Sequence, residues 1–365
     1  MPTHDIIVIG GSAGSVEALV KLVPGLPAEL AAAVFVTIHT TPTMPSLLPQ
    51  ILTRAGNLPA SHPRDSEPIV PGRIYIAPPD HHLIVDDGHV RVVRGPKENG
   101  HRPAVDPLFR SAAVRYGRRV IGVVLSGMLD DGTAGSLAIK RQGGVAIAQN
   151  PDEALFPGMP LSAIENAAVD HVLGLEEIAP ALVRLAREPV TEPPLPVPEE
   201  MMEEAEIAQL DDAAMLTPNR PGEPSALTCP ECNGALFEIK DGQIVRYRCR
   251  VGHAYSMETL FSDQAQSVEA ALWSAMVALK EKAVLSRRMM DNMRKRGHQV
   301  SAARFEEHVK DAEQQAKLIQ DLLESGAANG DGEPLMGGEG PAERSPTQAQ
   351  PGQVRARGAG HTTPT

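Results

Sequence analysis

Aromatic side chains are scarce. One tryptophan, four tyrosines and six phenylalanines make up 3% of the 365 residues, whereas Ala, Val, Leu, Gly and Pro are plentiful. Cysteine is nearly missing too, with three residues, an odd number, all in the second half. That count excludes a disulfide framework and fits a reducing, cytoplasmic setting. No apolar run approaches the length of a membrane span, so no membrane insertion is expected. The amino terminus enters a strand-like run without a basic n-region or cleavage site, so nothing points to secretion. An excess of positive charge is also absent: the formal net charge is -12, which argues against nucleic acid as a partner of the whole chain. Nine acidic residues and no basic one fall between Glu188 and Asp212. The imbalance therefore describes a solvated linker more than a binding face.

What is present is alternation. The chain is long enough for two domains with a sizeable core in at least one. Its first half alternates strand-like runs (DIIVIG, AAVFVTIH, GRIYIAP, RVIGVVLSG, GGVAIAQN, DHVLG) with helix-like ones, which predicts an α/β fold with a mainly parallel sheet and helices on both faces. HHLIVDDGHVRVVR alternates around Asp-Gly as a β-hairpin does. The expected division is a first domain over 1–187, an acidic Pro-rich linker over 188–225 with a brief helix at Glu199–Leu210, a cysteine-containing module over 226–260, a helical hairpin or coiled coil over 261–325, and a disordered tail over 326–365. The hairpin's two helices are expected from about residue 262 and from Ser301. Phe305, Val309, Ala312, Ala316, Ile319 and Leu323 recur in the second at spacings of four and three, a stripe suited to core packing or self-association.

Residues 5–19 read DIIVIGGSAGSVEAL: an apolar run, a glycine turn holding Ser12, then Val16, Leu19 and Val20 at helical spacing. A dinucleotide-binding turn needs G-x-G-x-x-G so that backbone can approach a pyrophosphate. Counted from Gly10 the later positions hold Ser12 and Ser15; counted from Gly11 they hold Ala13 and Val16. Neither register fits. A serine on a sharp bend at a strand end fits a nucleophile elbow better, with a structural turn and an incidental serine as the alternative on this stretch alone. A serine nucleophile needs a base, commonly a histidine held by a carboxylate, and in open α/β sheets such groups gather at the carboxyl ends of strands. His39 closes AVFVTIH, and Asp130 and Asp131 follow RVIGVVLSGML. His81, His82 and His89, beside the predicted hairpin, read as structural.

VIGGSAGSVEAL, HTTPTMPSLLPQIL, IYIAPPDHHLIV, HRPAVDPLFRSAA and VVLSGMLDDGTAG, in that order, resemble the catalytic domain of CheB-type chemotaxis methylesterases over roughly residues 1–187. The resemblance implies a parallel α/β sheet with a Ser-His-Asp triad that removes methyl esters from glutamate side chains of chemoreceptors and can deamidate receptor glutamines. It places the nucleophile on Ser12, the base on His39 and the carboxylate on Asp131, with Asp130 as its exposed neighbour. Backbone N–H groups near Ala13 and in the Ser126–Met128 turn would receive the oxyanion, and catalysis needs no cofactor. The implied partners are methylated receptor helices. The sequence departs from the family pattern at Ala13, at Gly14-Ser15 and in the TTP that follows His39. It also starts at the first catalytic strand without a preceding receiver domain, so direct phospho-control in cis is not expected. The alternatives are a regulatory or scaffolding protein that binds a signalling kinase or methyltransferase outside flagellar chemotaxis, and a general esterase.

The second module, CPECNGALFEIKDGQIVRYRCRVGH, spaces its ligand-type residues as C-x2-C, sixteen residues, C-x3-H. Cys229, Cys232, Cys249 and His253 thus suit a tetrahedral Cys3His zinc site in a ribbon-like module, closed by a hairpin through Asp241-Gly242. Structural zinc would supply folding energy that so small a core lacks. A redox Cys-x-x-Cys pair is the competing reading, but no thioredoxin-like βαβ context surrounds it. The module and the helical hairpin are expected to act as a targeting or control element.

Overall fold

The computed structural model describes residues 2–209 and 222–325. Leu210 at the end of the expected linker helix, and the expected disordered tail from 326, lie outside the described residues. Seven strands form one parallel sheet: β1 (Ile6–Gly11), β2 (Ala33–Ile38), β3 (Ala60–Ser61), β5 (Ile74–Ile76), β8 (Val120–Val124), β9 (Val145–Gln149) and β10 (His171–Leu173), in the spatial order β10-β9-β8-β1-β2-β5-β3. Every pairing within it is parallel.

Side chains alternate across a strand, and β1 shows the consequence. Ile7 and Ile9 pack with α1 (Ser15–Leu22), α2 (Leu48–Ala55) and α6 (Leu175–Leu185), whereas Ile6 and Val8 pack with α3 (Val105–Tyr116), α4 (Thr133–Arg141) and α5 (Gly158–Asn166). Both faces are therefore covered, which is why the strands read as continuous apolar runs. The expected hairpin is present as β6 (His82–Val85) against β7 (His89–Val93), joined at its edge by β4 (Glu67–Pro68). Short elements such as α2 and β3 carried no sequence signal of their own.

Within the acidic segment, α7 (Glu199–Ala208) forms near the expected place. It is not solvated throughout: Glu204 is only 3% exposed. A four-stranded antiparallel sheet follows, β11 (Glu223–Thr228), β12 (Ala235–Asp241), β13 (Ile244–Cys249) and β14 (Ala254–Ser256). Its β12–β13 turn runs through Asp241 and Gly242, which adopts φ 69°, as the Asp-Gly pair predicts. Two long helices close the described chain, α8 (Met257–Lys295) and α9 (Gln299–Glu324), parted at Gly297 with φ 78°. α8 starts ahead of the expected residue 262 because Ser256 caps it, its hydroxyl accepting from Thr259 N–H at 3.0 Å. Val309, Ala312 and Ala316 of the expected stripe are buried, as are Met276 and Ala283 of α8.

Candidate active site

Ser12 follows the last residue of β1, and the strand register fixes its neighbours. Gly11 pairs with Ile38, and Gly10 with both Thr37 and Val124. The next position on β1 therefore meets His39 on one side and Ser126 on the other. Backbone bonds continue the pattern, with His39 N–H donating to Gly11 O at 3.2 Å and Ser12 N–H to Ser126 O at 2.9 Å. Adjacent strands lie about 4.8 Å apart, so the serine and the imidazole issue from neighbouring strand ends. Two glycines make the bend possible. Gly14 caps α1 with φ 79°, and a methyl there would fall 2.7 Å from Ser126 Oγ. A methyl on Gly10 would fall 2.1 Å from Val105 Cγ1, so only glycine lets the start of α3 sit over the end of β1.

His39 Nε2 lies 2.7 Å from Asp131 Oδ2, with both side chains almost fully buried. An imidazole N–H donating to that carboxylate leaves the lone pair on Nδ1. Nδ1 is buried and has no partner, which makes it the ring nitrogen free to accept a proton. No hydrogen bond joins Ser12 to His39 here; contacts of this kind commonly tighten only when substrate binds. The structure thus unites His39 with Asp131 and sets Ser12 beside them at the same sheet edge.

Asp131 receives four donors. Besides His39, Val105 N–H reaches Oδ2 at 2.7 Å, while Asp106 N–H at 3.1 Å and Asn99 Nδ2 at 3.0 Å reach Oδ1. The two backbone donors open α3, so the helix dipole adds to them. Burial alone would raise this carboxyl. The hydrogen bond and charge of His39, with the Val105 and Asn99 donors, outweigh burial and hold it well below the ordinary aspartate range. Asp106 goes the other way: burial, then the charge of Asp131, push it well up. Sequence reasoning missed Asn99 and His101. The His101 ring stacks on His39 at 3.7 Å between centroids, and burial foremost, then His39, lower its pKa to about 4. Neutral at ordinary pH, it covers the base without competing for its proton.

Asp130, expected as an exposed neighbour, is instead covered by the start of α8. Ser256 Oγ and Thr259 Oγ1 donate to its Oδ1 at 2.7 and 3.2 Å, and burial is the main reason its pKa is pushed up to about 6. The expected oxyanion turn is narrowed as well. Ser126 N–H is taken by Gln149 Oε1 at 3.0 Å and Gly127 N–H by Phe156 O at 2.9 Å. Ala13 and Met128 remain as the candidate donors, and Met128 is solvent-exposed beside Leu129, which holds φ 58°.

A second cluster lies in the antiparallel sheet. The ligand atoms of Cys229, Cys232, Cys249 and His253 all fall within 4.8 Å of one another. Cys232 and Cys249 Sγ are 3.7 Å apart, and His253 Nδ1 is 3.7 and 3.5 Å from Cys229 and Cys249 Sγ. Tetrahedral metal–sulfur bonds of about 2.3 Å require sulfurs about 3.8 Å apart, so the four groups can coordinate a metal.

A serine, an imidazole and a carboxylate at the carboxyl edge of a parallel sheet are the arrangement that α/β serine hydrolases use. Comparison with known proteins gives the particular family. The CheB methylesterase family model matches residues 7–182. A putative protein-glutamate methylesterase/protein-glutamine glutaminase of Leptospira interrogans is 36% identical over 183 residues, 50% of this chain and 95% of that protein. The chain belongs to the CheB methylesterase family. Protein-glutamate methylesterase/protein-glutamine glutaminase 2 of Pseudomonas aeruginosa is 40% identical over 190 residues, 51% of this chain and 54% of that protein. The chain therefore spans about half the length of that curated relative. The crystal structure of the Thermotoga maritima CheB methylesterase catalytic domain matches at 35% identity and a TM-score of 0.48, covering 51% of this chain and 99% of that one.

Proposed function

We propose that the chain is a protein-glutamate methylesterase of a chemosensory pathway, acting in the cytoplasm on methylated glutamate side chains of chemoreceptor helices. The observation that carries this reading is the His39–Asp131 pair, 2.7 Å long, with Nδ1 unpartnered at the strand end next to Ser12. Ser12 Oγ attacks the ester carbonyl as His39 Nδ1 takes its proton, and Asp131 holds the resulting imidazolium. The Ala13 and Met128 N–H groups face the developing oxyanion; such a donor contributes about 3 kcal/mol to barrier lowering. The C–O bond breaks, methanol departs with the proton from His39, and a glutamyl ester of Ser12 remains. Water, deprotonated by His39, cleaves that ester to free carboxylate and serine. A glutamine side chain enters the same route with ammonia as leaving group. Among the described residues no helix is long and apolar enough to cross a membrane, in keeping with receptors met from the water side.

The Cys3His cluster is read as a structural zinc site in a ribbon-like module, because its donor spacing matches tetrahedral zinc. Zinc there would tie β11–β14 together and take no part in ester chemistry. Methanol release from a methyl-esterified receptor fragment tests the function. Wild type should release it, and Ser12→Ala should release none while melting like wild type. Equal release by Ser12→Ala would refute the proposal.

A further inference from the structure

One place where the carboxyl-terminal unit meets the catalytic domain is the turn 97–101. Asn99 N–H donates to Ala254 O at 2.8 Å and Ala254 N–H to Lys97 O at 3.2 Å, so β14 is laid along this turn as an extra parallel bridge. Lys97 pairs with Glu231, and the buried Glu98 with Arg248. Asn99 itself is 5% exposed and holds φ 51°, a left-handed conformation that asparagine tolerates.

The side chain of Asn99 is bound at both ends. Its Nδ2 donates to Asp131 Oδ1 and to Asp106 Oδ2, each at 3.0 Å. Its Oδ1 accepts from Ser256 N–H at 2.9 Å. A flip of the amide would turn the oxygen toward two carboxylates and the NH2 toward an N–H, so only one orientation satisfies the network. The Ser256 donor fixes the oxygen end as the two carboxylates fix the nitrogen end, and Ser256 belongs to the junction of β14 and α8. The same residue anchors Asp130, the immediate neighbour of Asp131, through its hydroxyl.

We propose that the carboxyl-terminal unit is a built-in activator of the hydrolase, with Asn99 as the positioning residue: seating Ser256 N–H on Asn99 Oδ1 aims the amide at Asp131 and so holds the His39–Asp131 pair. The inference rests on the esterase reading of that pair. Release of the unit removes the anchor on Asn99 Oδ1 and the Ala254 backbone bonds to Lys97 and Asn99, which loosens the turn that carries both the Asn99 donor to Asp131 and His101 over His39. An event that unseats residues 254–259 would then switch off ester hydrolysis without touching Ser12.

The test uses the full chain and three variants. Ser256→Pro keeps the observed φ of -71° while deleting the N–H, and Ser256→Ala keeps the N–H while deleting the hydroxyl. Asn99→Ala removes the amide. Two readouts are followed: the rate at which a fluorophosphonate modifies Ser12, and the downfield proton resonance of His39 Nε2–H bonded to Asp131. Ser256→Pro and Asn99→Ala should each slow labelling about 10–100-fold, the range expected for a misplaced catalytic group, and should shift or broaden the resonance. Their double variant should be no slower than Asn99→Ala alone. Ser256→Ala, which loses the α8 cap and the Asp130 hydrogen bond but keeps the N–H on Asn99, should slow labelling less than Ser256→Pro. The proposal is overturned if Ser256→Pro labels at the wild-type rate with its resonance intact, if Ser256→Ala falls as far as Ser256→Pro, or if the two effects multiply in the double variant. The resonance reports on the pair whether or not Ser12 reacts. A wild type inert toward methyl esters would therefore sink the esterase reading, and the fate of the resonance in Ser256→Pro would still decide this one.

Discussion

Replacing Glu204 with glutamine should detach the carboxyl-terminal sheet from the catalytic domain. Glu204 sits on α7 amid three guanidinium groups: Arg246 binds it at 2.7 and 2.8 Å, Arg248 at 3.1 Å, and Arg110 of α3 at 3.5 Å. Glu98 and Asp241 supply the other negative charges, through Arg110, Arg248 and Arg246. Three buried arginines thus meet three carboxylates, with the more exposed Arg141 also paired to Asp241, in a site where Glu204, Arg246 and Arg248 are each under 10% exposed. Burial alone would raise the Glu204 carboxyl, but the charges of Arg246, Arg248 and Arg110 hold it well below the usual glutamate range. Glutamine keeps the shape and leaves one positive charge buried without a counter-charge, a defect that costs about 3–5 kcal/mol. If that cost falls on local opening, amides of β13 should exchange with deuterium about 100-fold faster or more at pH 7. A depressed folded pKa means that the Glu204 contribution is complete above the unfolded value near 4.5 and drains away as pH falls below it. The gap between wild type and variant should therefore close in acid. An acceleration under tenfold at pH 7, or a gap that widens in acid, would refute this account of the interface.

Three further outcomes follow from the same contacts. Asp131→Asn should lower kcat about 10⁴-fold with little change in KM, because the amide no longer selects the His39 tautomer with a free Nδ1; steady-state kinetics on a methyl ester will show it. Asp130 titrates near 6 in the folded chain because it is buried. The stability of wild type relative to Asp130→Asn, followed by denaturant titration at each pH, should therefore fall as pH rises from about 4 through 6. Stripping metal with a chelator should abolish exchange protection of β12 and β13 while leaving β1 and β8 protected, since zinc would hold the small sheet together.

The parallel sheet was legible because its strands are covered on both sides and read as unbroken aliphatic runs. Ser12 and His39 stood out as candidates because each directly follows a strand, whereas Asp131 was separated from Asp130 only by the family resemblance. The residues around them were not legible. Asn99 belongs to an Asn-Gly pair, which announces only a turn. Its importance comes from Asp131, Asp106 and Ser256, and the last lies 157 positions away. Glu204 was hidden in a run of acids, a pattern that reads as solvated, and the arginines that bury it lie 42 and 44 positions further on. Asp130 was mistaken for an exposed residue because its cover, the start of α8, follows the Cys3His segment, whose docking site has no periodic signature.

Covalent capture of the nucleophile is the most direct test of the central claim that His39 and Asp131 activate Ser12. A fluorophosphonate, with the modified residue located by peptide mass spectrometry, should label wild type at Ser12 and should fail to label His39→Ala under the same conditions. Labelling of Ser12 that is indifferent to His39, or a wild type left unmodified there, would contradict the account.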